Sequence, residues 1–101
     1  MTFKCIRYFI SGYFHQDWYI YGSTDKEIIK YFIQKESLVQ VNTLVSELEN
    51  LSALDIDNNL AEKILIESGC GYYYQADSLS ALEWLLNIKY LLKTTLDEHL
   101  S

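Results

Sequence analysis

Between Leu38 and Ala53 the apolar residues Val41, Leu44, Val45, Leu48 and Leu51 recur at steps of three and four. Gln40, Asn42, Ser46, Glu47, Glu49 and Asn50 fill the complementary positions. A strand alternates every second residue and seldom exceeds about ten residues; a helix gathers such a set on one face. This stretch is therefore a helix with a buried stripe, and it demands other elements to cover that stripe. Ser37 is placed to cap its start.

The neighbouring stretches carry the same signals more briefly. Thr24-Asp25-Lys26-Glu27 reads as a capping box, with Thr24 as the cap and Glu27 reaching back to its amide. The helix that follows is expected to end near Lys35, burying Ile28, Ile29, Phe32 and Ile33. Asp57 suits the start of another helix, from about Asn58 to Ser68, with Leu60, Ala61, Ile64 and Leu65 inward. Gly69 is placed to close it in a left-handed cap. Ser80-Ala81-Leu82-Glu83 is a second capping box. The helix it opens is broadly apolar through Trp84, Leu85, Ile88, Leu91 and Leu92, which predicts a central position. It is expected to stop at about Leu92 or Leu96, leaving Asp97–Ser101 as a frayed tail.

Residues 3 to 22 are ambiguous by pattern alone. Ile6, Ile10, Tyr13 and Phe14 fit a helical stripe. The same aromatics and isoleucines favour strands, and Ser11-Gly12 would serve as a hairpin turn.

The chain has 101 residues, half of them hydrophobic, with no proline and a net charge of −6. That is enough for one domain, residues 1–101, with a core that needs neither disulfide nor metal. Two cysteines, Cys5 and Cys70, do not suggest a secreted disulfide framework. Without a signal-peptide pattern or a bilayer-length apolar run, a cytoplasmic protein is expected. The acids are concentrated: Glu47, Glu49, Asp55, Asp57, Glu62, Glu67, Asp77 and Glu83 stand against the single base Lys63 in that stretch. Such a field repels phosphates and attracts basic partners, which disfavours direct nucleic-acid binding. Acids also simply solvate exposed helix faces.

Tyr13-Phe14-His15-Gln16-Asp17-Trp18 packs three large aromatics and three polar side chains into six residues. A carboxylate orienting an imidazole would make a general base of His15. Side chains two apart on a helix do not face each other, however, and no nucleophile accompanies them. His99 stands in the expected tail. Cys5, His15, Cys70 and His99 fit no zinc spacing, and no phosphate loop or calcium loop is present. No catalytic residue, metal or cofactor is expected. Tyr72-Tyr73-Tyr74, between Glu67 and Asp77, reads equally as an interface patch or as packing between the last two helices.

These residues resemble a family of small bacterial immunity proteins of contact-dependent growth inhibition systems. The likeness covers roughly residues 8 to 92. It rests on Tyr13–Trp18, the helices Glu27–Lys35 and Leu38–Ala53, the loop Ser68-Gly69-Cys70-Gly71-Tyr72-Tyr73, and Glu83-Trp84-Leu85. Members often carry a proline after the Gly-Cys loop, which this chain lacks. The resemblance implies an all-α fold of about five helices and short loops, which turns residues 3–22 toward helix. It also implies a non-enzymatic protein that binds and neutralises the C-terminal toxin domain of a large surface-delivered protein. Such toxins are frequently nucleases, whose basic surfaces would suit an acidic partner.

Toxin binding is accordingly expected at Glu62, Glu67, Asp77 and Tyr72–Tyr74, with Asp55 and Asp57 beside them. Tyr13–Trp18 and Trp84 are expected to form the scaffold: Phe14 and Trp18 pack near Trp84, and His15, Gln16 and Asp17 tie down nearby polar groups. The alternative is an intracellular helical adaptor or regulatory module with another basic protein partner. A small hydrolase using His15 and Asp17 is a third reading.

Overall fold

The computed structural model describes residues 3–54, 56–72 and 74–100; the side chains of Asp77, His99 and Leu100 stand outside that description. Five α-helices follow one another: α1 (Lys4–Tyr13), α2 (Asp25–Lys35), α3 (Leu38–Ala53), α4 (Asn58–Glu67) and α5 (Ala81–Leu100). Two short 3-10 helices, Trp18–Ile20 and Tyr74–Asp77, lie between them. The fold is all-α, and no strand occurs among the described residues. Among them, too, no helix is long and apolar enough to cross a membrane.

The stripe that defined α3 is its buried face. Val41, Leu44, Leu48 and Leu51 are buried and Val45 is half-buried. That face is shared by α1 on one side and α5 on the other. α5 also packs on α2 and α4, as its broad apolar surface requires. Trp84, Leu85, Ile88 and Leu92 carry these contacts from the centre of the hydrophobic core. Fully burying each such side chain stabilises the fold by roughly 1.5–3 kcal/mol before chain entropy is counted.

The helix starts follow their capping residues. Thr24, Ser37 and Asp57 each accept the backbone amide three residues on. Ser80 and Glu83 form the full reciprocal box at α5, at 3.0 and 3.1 Å. The box at α2 is incomplete: Glu27 accepts from the Ser23 hydroxyl at 2.7 Å and does not reach the Thr24 amide. α4 closes with Gly69 at φ 76°. The Cys70 amide donates to Leu65 and the Gly69 amide to Ile66, the paired bonds of a Schellman ending.

The residue pattern left Ser11-Gly12 open between helix and hairpin turn; it is helical, as the resemblance implied, and Ile6, Ile10 and Tyr13 are buried on α1. The expected end of the last helix needs correction. α5 does not fray after Leu96; it runs through Leu100, with Thr95 and Leu96 both buried. Packing against the core holds those last turns, whose own composition gives little reason for helix.

α1 starts without a side-chain cap of its own. Its orphan amides are satisfied from α3 instead. The Cys5 amide donates to both Glu47 oxygens, at 2.9 and 3.0 Å, and the Ile6 amide donates to Oε1 at 3.0 Å. A carboxylate at this end also meets the positive pole of the helix dipole. At the other end, Tyr8 and Tyr13 both donate to Glu36, just past α2, and the Tyr13 bond is 2.6 Å long. Burial first, then the Glu36 carboxylate, push the Tyr13 phenol well above its ordinary range.

Candidate functional site

α1 ends at Tyr13, and Phe14 points into the core with no exposed surface. Phe14 meets Trp84 edge-on at 5.1 Å between ring centroids, and meets Phe9 at 5.2 Å. Trp18, on the following 3-10 turn, does not reach Trp84 directly; it packs edge-on against Tyr72 at 4.8 Å. Tyr72 in turn lies nearly parallel to the Trp84 ring at 5.4 Å, as does Tyr74. One aromatic hub therefore joins the hexapeptide, the tyrosine loop and α5. Ring pairs of this kind add about 0.5–1.5 kcal/mol each beyond the area they bury.

The backbone completes the joint. The Gly71 amide donates to the Phe14 carbonyl at 2.7 Å. A Cβ on Gly71 would lie 2.6 Å from the Gln16 Cα and 2.8 Å from the His15 carbonyl carbon. Only glycine lets these two backbones approach so closely.

Of the three polar side chains expected to tie down neighbours, only that of His15 does so among the described residues. The Asp17 amide, not its carboxylate, meets the His15 ring, donating to Nδ1 at 2.9 Å. Nδ1 is thus an acceptor, so the ring's N–H is at Nε2, 3.4 Å from the Tyr21 hydroxyl. The Asp17 carboxylate and the Gln16 side chain are exposed, with no hydrogen bond among the described residues. A carboxylate-oriented imidazole is not assembled here. Among the described residues no three His, Cys, Asp or Glu side chains gather as a metal site.

The residues expected to dock the toxin fall into different environments. Glu62 and Glu67 are exposed on α4, one turn and a half apart, with Ile66 between them and 76% exposed. Glu67 is paired with Arg7 at 2.9 Å. Glu62 accepts from the Asn58 amide at 3.1 Å and has no cationic partner among the described residues. Asp57 is exposed but caps α4 through the Leu60 amide. Asp55 and Tyr73 lie outside the described residues, as does the Asp77 side chain. Tyr72 and Tyr74 are half-buried, one side given to Trp84.

Between α4 and the tyrosine loop is a cleft of about 240 Å³. Leu65, Ile66, Cys70, Tyr72, Tyr74 and Gln75 line it. Burial raises the Cys70 thiol above its ordinary value, although its contact with the Tyr72 carbonyl opposes the shift. The Tyr74 phenol is raised too, first by burial and then by Cys70 and Glu62. Sequence reasoning found the tyrosines and the acids but missed Ile66 and Cys70 as neighbours. The only signal for them was the apolar exposed position between two acids on α4.

A small all-helical domain with an aromatic hub and a surface cleft, its conspicuous histidine spent on local bonding, has the form of a binding scaffold. Over residues 2–92 the chain matches the family described as CdiI immunity protein. It belongs to that family. A search of curated proteins returned no match, and neither did a search of solved structures.

Proposed function

We propose that this chain is a non-enzymatic immunity protein that acts in the cytoplasm of the cell that makes it. It binds and neutralises the C-terminal toxin domain of a contact-dependent growth inhibition system, and that toxin is a nuclease. Family membership carries the first part of this reading. The nuclease part rests on charge: the chain is acidic, and its acids crowd between Glu47 and Glu83. A nuclease presents basic surface to hold its substrate, so opposite fields would speed encounter and restrict partner choice.

The docking surface in this proposal is the exposed face of α4 with the loop that follows it. Glu62, Glu67, Tyr72 and Tyr74 are its centre and Asp57 borders it; Tyr73, Asp77 and Asp55 are assigned to it by their place in the sequence. The juxtaposition of Glu62, exposed Ile66 and the tyrosine-lined cleft supports that choice. Apolar anchors ringed by charge are the usual anatomy of a protein interface. Reversing both charges, with Glu62→Lys and Glu67→Lys, is expected to weaken binding of the toxin domain encoded immediately upstream at least tenfold and to flatten its salt dependence. Co-expression should show growth rescue by the wild-type chain and reduced rescue by the double variant. Full rescue with unchanged affinity would remove this face as the docking site.

A further inference from the structure

We infer that the cleft between α4 and the tyrosine loop receives one lysine or arginine side chain of the toxin, with Glu62 as its counter-charge. The inference rests on the toxin-binding reading and adds the chemistry of one contact to it. The cleft is the right kind of container. At about 240 Å³ it falls below the roughly 300–1,000 Å³ of small-molecule pockets, yet it has room for a long side chain. Its walls are mixed in the way a cationic side chain requires. Leu65, Ile66 and the tyrosine rings offer apolar surface to a methylene stem, and Gln75 offers a polar edge.

A charge one helical turn from the Ile66 wall of the cleft decides the sign of the occupant. Glu62 stands one helical turn before Ile66, which places both on one face of α4. Its carboxylate is held by a neutral partner, Asn58, and is not neutralised among the described residues. Lys63, the next residue, makes no ion pair with it there. Glu67 differs, because Arg7 already matches its charge at 2.9 Å. An incoming cation would have to displace Arg7 to use Glu67 but meets Glu62 open. The two acids, equivalent by sequence, are therefore unequal as anchors.

Three readouts test this with the purified full chain and the toxin domain encoded immediately upstream. Glu62→Gln, which keeps an acceptor for Asn58, is expected to weaken binding about tenfold, and Glu67→Gln less than about threefold. In double-variant cycles, one toxin lysine or arginine changed to methionine should couple to Glu62 and not to Glu67. Cys70 lines the cleft and Cys5 lies at the start of α1, so toxin binding should slow maleimide labelling of Cys70 and leave Cys5 unchanged. Unchanged affinity of Glu62→Gln, or a Cys70 labelled as fast in the complex as in the free chain, overturns the cleft contact while the immunity reading stands. A wild-type chain that neither binds the toxin nor rescues growth overturns both.

Discussion

At the scale of single residues, a tightly constrained position carries no chemistry of its own. Gly71 lets the loop after α4 press on the backbone of His15 and Gln16. Gly71→Ala must push backbone against backbone, so it is expected to destabilise the fold by about 1–3 kcal/mol in urea unfolding. Gly12, with open space where a Cβ would stand and a place inside α1, is the control. Gly12→Ala should be neutral or stabilising by up to about 1 kcal/mol. Glu83 permits a test by pH. Bonds from the Ser80 amide and hydroxyl hold its carboxyl below the ordinary carboxylate range. A lowered folded value means that the capping contribution is complete above the unfolded value and disappears as pH falls through the folded one. The stability difference between wild type and Glu83→Gln should accordingly be largest at neutral pH and close as pH falls from the ordinary carboxylate range through the lowered folded value.

At the scale of elements, α1 is held from outside at both ends. Glu47 on α3 caps its start across 42 residues of sequence, and Glu36 takes the Tyr8 and Tyr13 hydroxyls. Glu47→Ala is expected to cost about 1–2 kcal/mol, although the residue looks like a solvated helix charge in the sequence. Hydrogen exchange should locate that loss in the first turn of α1; a uniform change across the protein would count against a capping role. The raised Tyr13 phenol has the opposite sign from Glu83. Its contribution is complete below the unfolded value near 10 and is lost as pH rises above it. Tyr13→Phe should therefore remove part of the alkaline sensitivity of unfolding. α5 offers a different check. Because Leu96 is buried beyond the expected end of the helix, Leu96→Ala should cost about 2–3 kcal/mol, whereas exposed Asp97→Ala should change stability by less than about 0.5 kcal/mol.

At the scale of the whole molecule, the aromatic hub links the segments that surround the proposed docking face. Phe14, Trp18, Tyr72 and Tyr74 all meet at or beside Trp84. Trp84 itself is fully buried, and its indole N–H has no partner among the described residues. Truncation of such a ring is expected to cost about 3–5 kcal/mol and, in this fold, to loosen the tyrosine loop as well. Trp84→Ala should then lower toxin affinity although Trp84 itself is buried beneath the docking surface. Trp84→Phe, which fills much of the volume and removes an unpaired donor, should retain most of both. If Trp84→Ala were as stable as wild type, the hub would not be the organising joint of the fold.

How much of this was legible in the sequence depends on how far apart the interacting residues lie. The helices α2 to α5 and their starts follow from periodicities and caps that span three or four residues, and those interactions travel with the chain wherever it goes. So does the Gly69 ending. The aromatic richness of the hexapeptide was legible for the same reason. The helical state of Lys4–Tyr13 was not, because its first amides are satisfied by Glu47 and its apolar residues by α3 and α4. Nor was the division of labour among the acids. Glu47 turns inward to a helix start, Glu67 meets Arg7 from α1, and Glu62 meets no cation among the described residues. Composition determined an acidic domain and local periodicity four of its helices; only tertiary structure decided which of its charges were already spent, since a charge is neutralised by what lies near it in space and not in sequence.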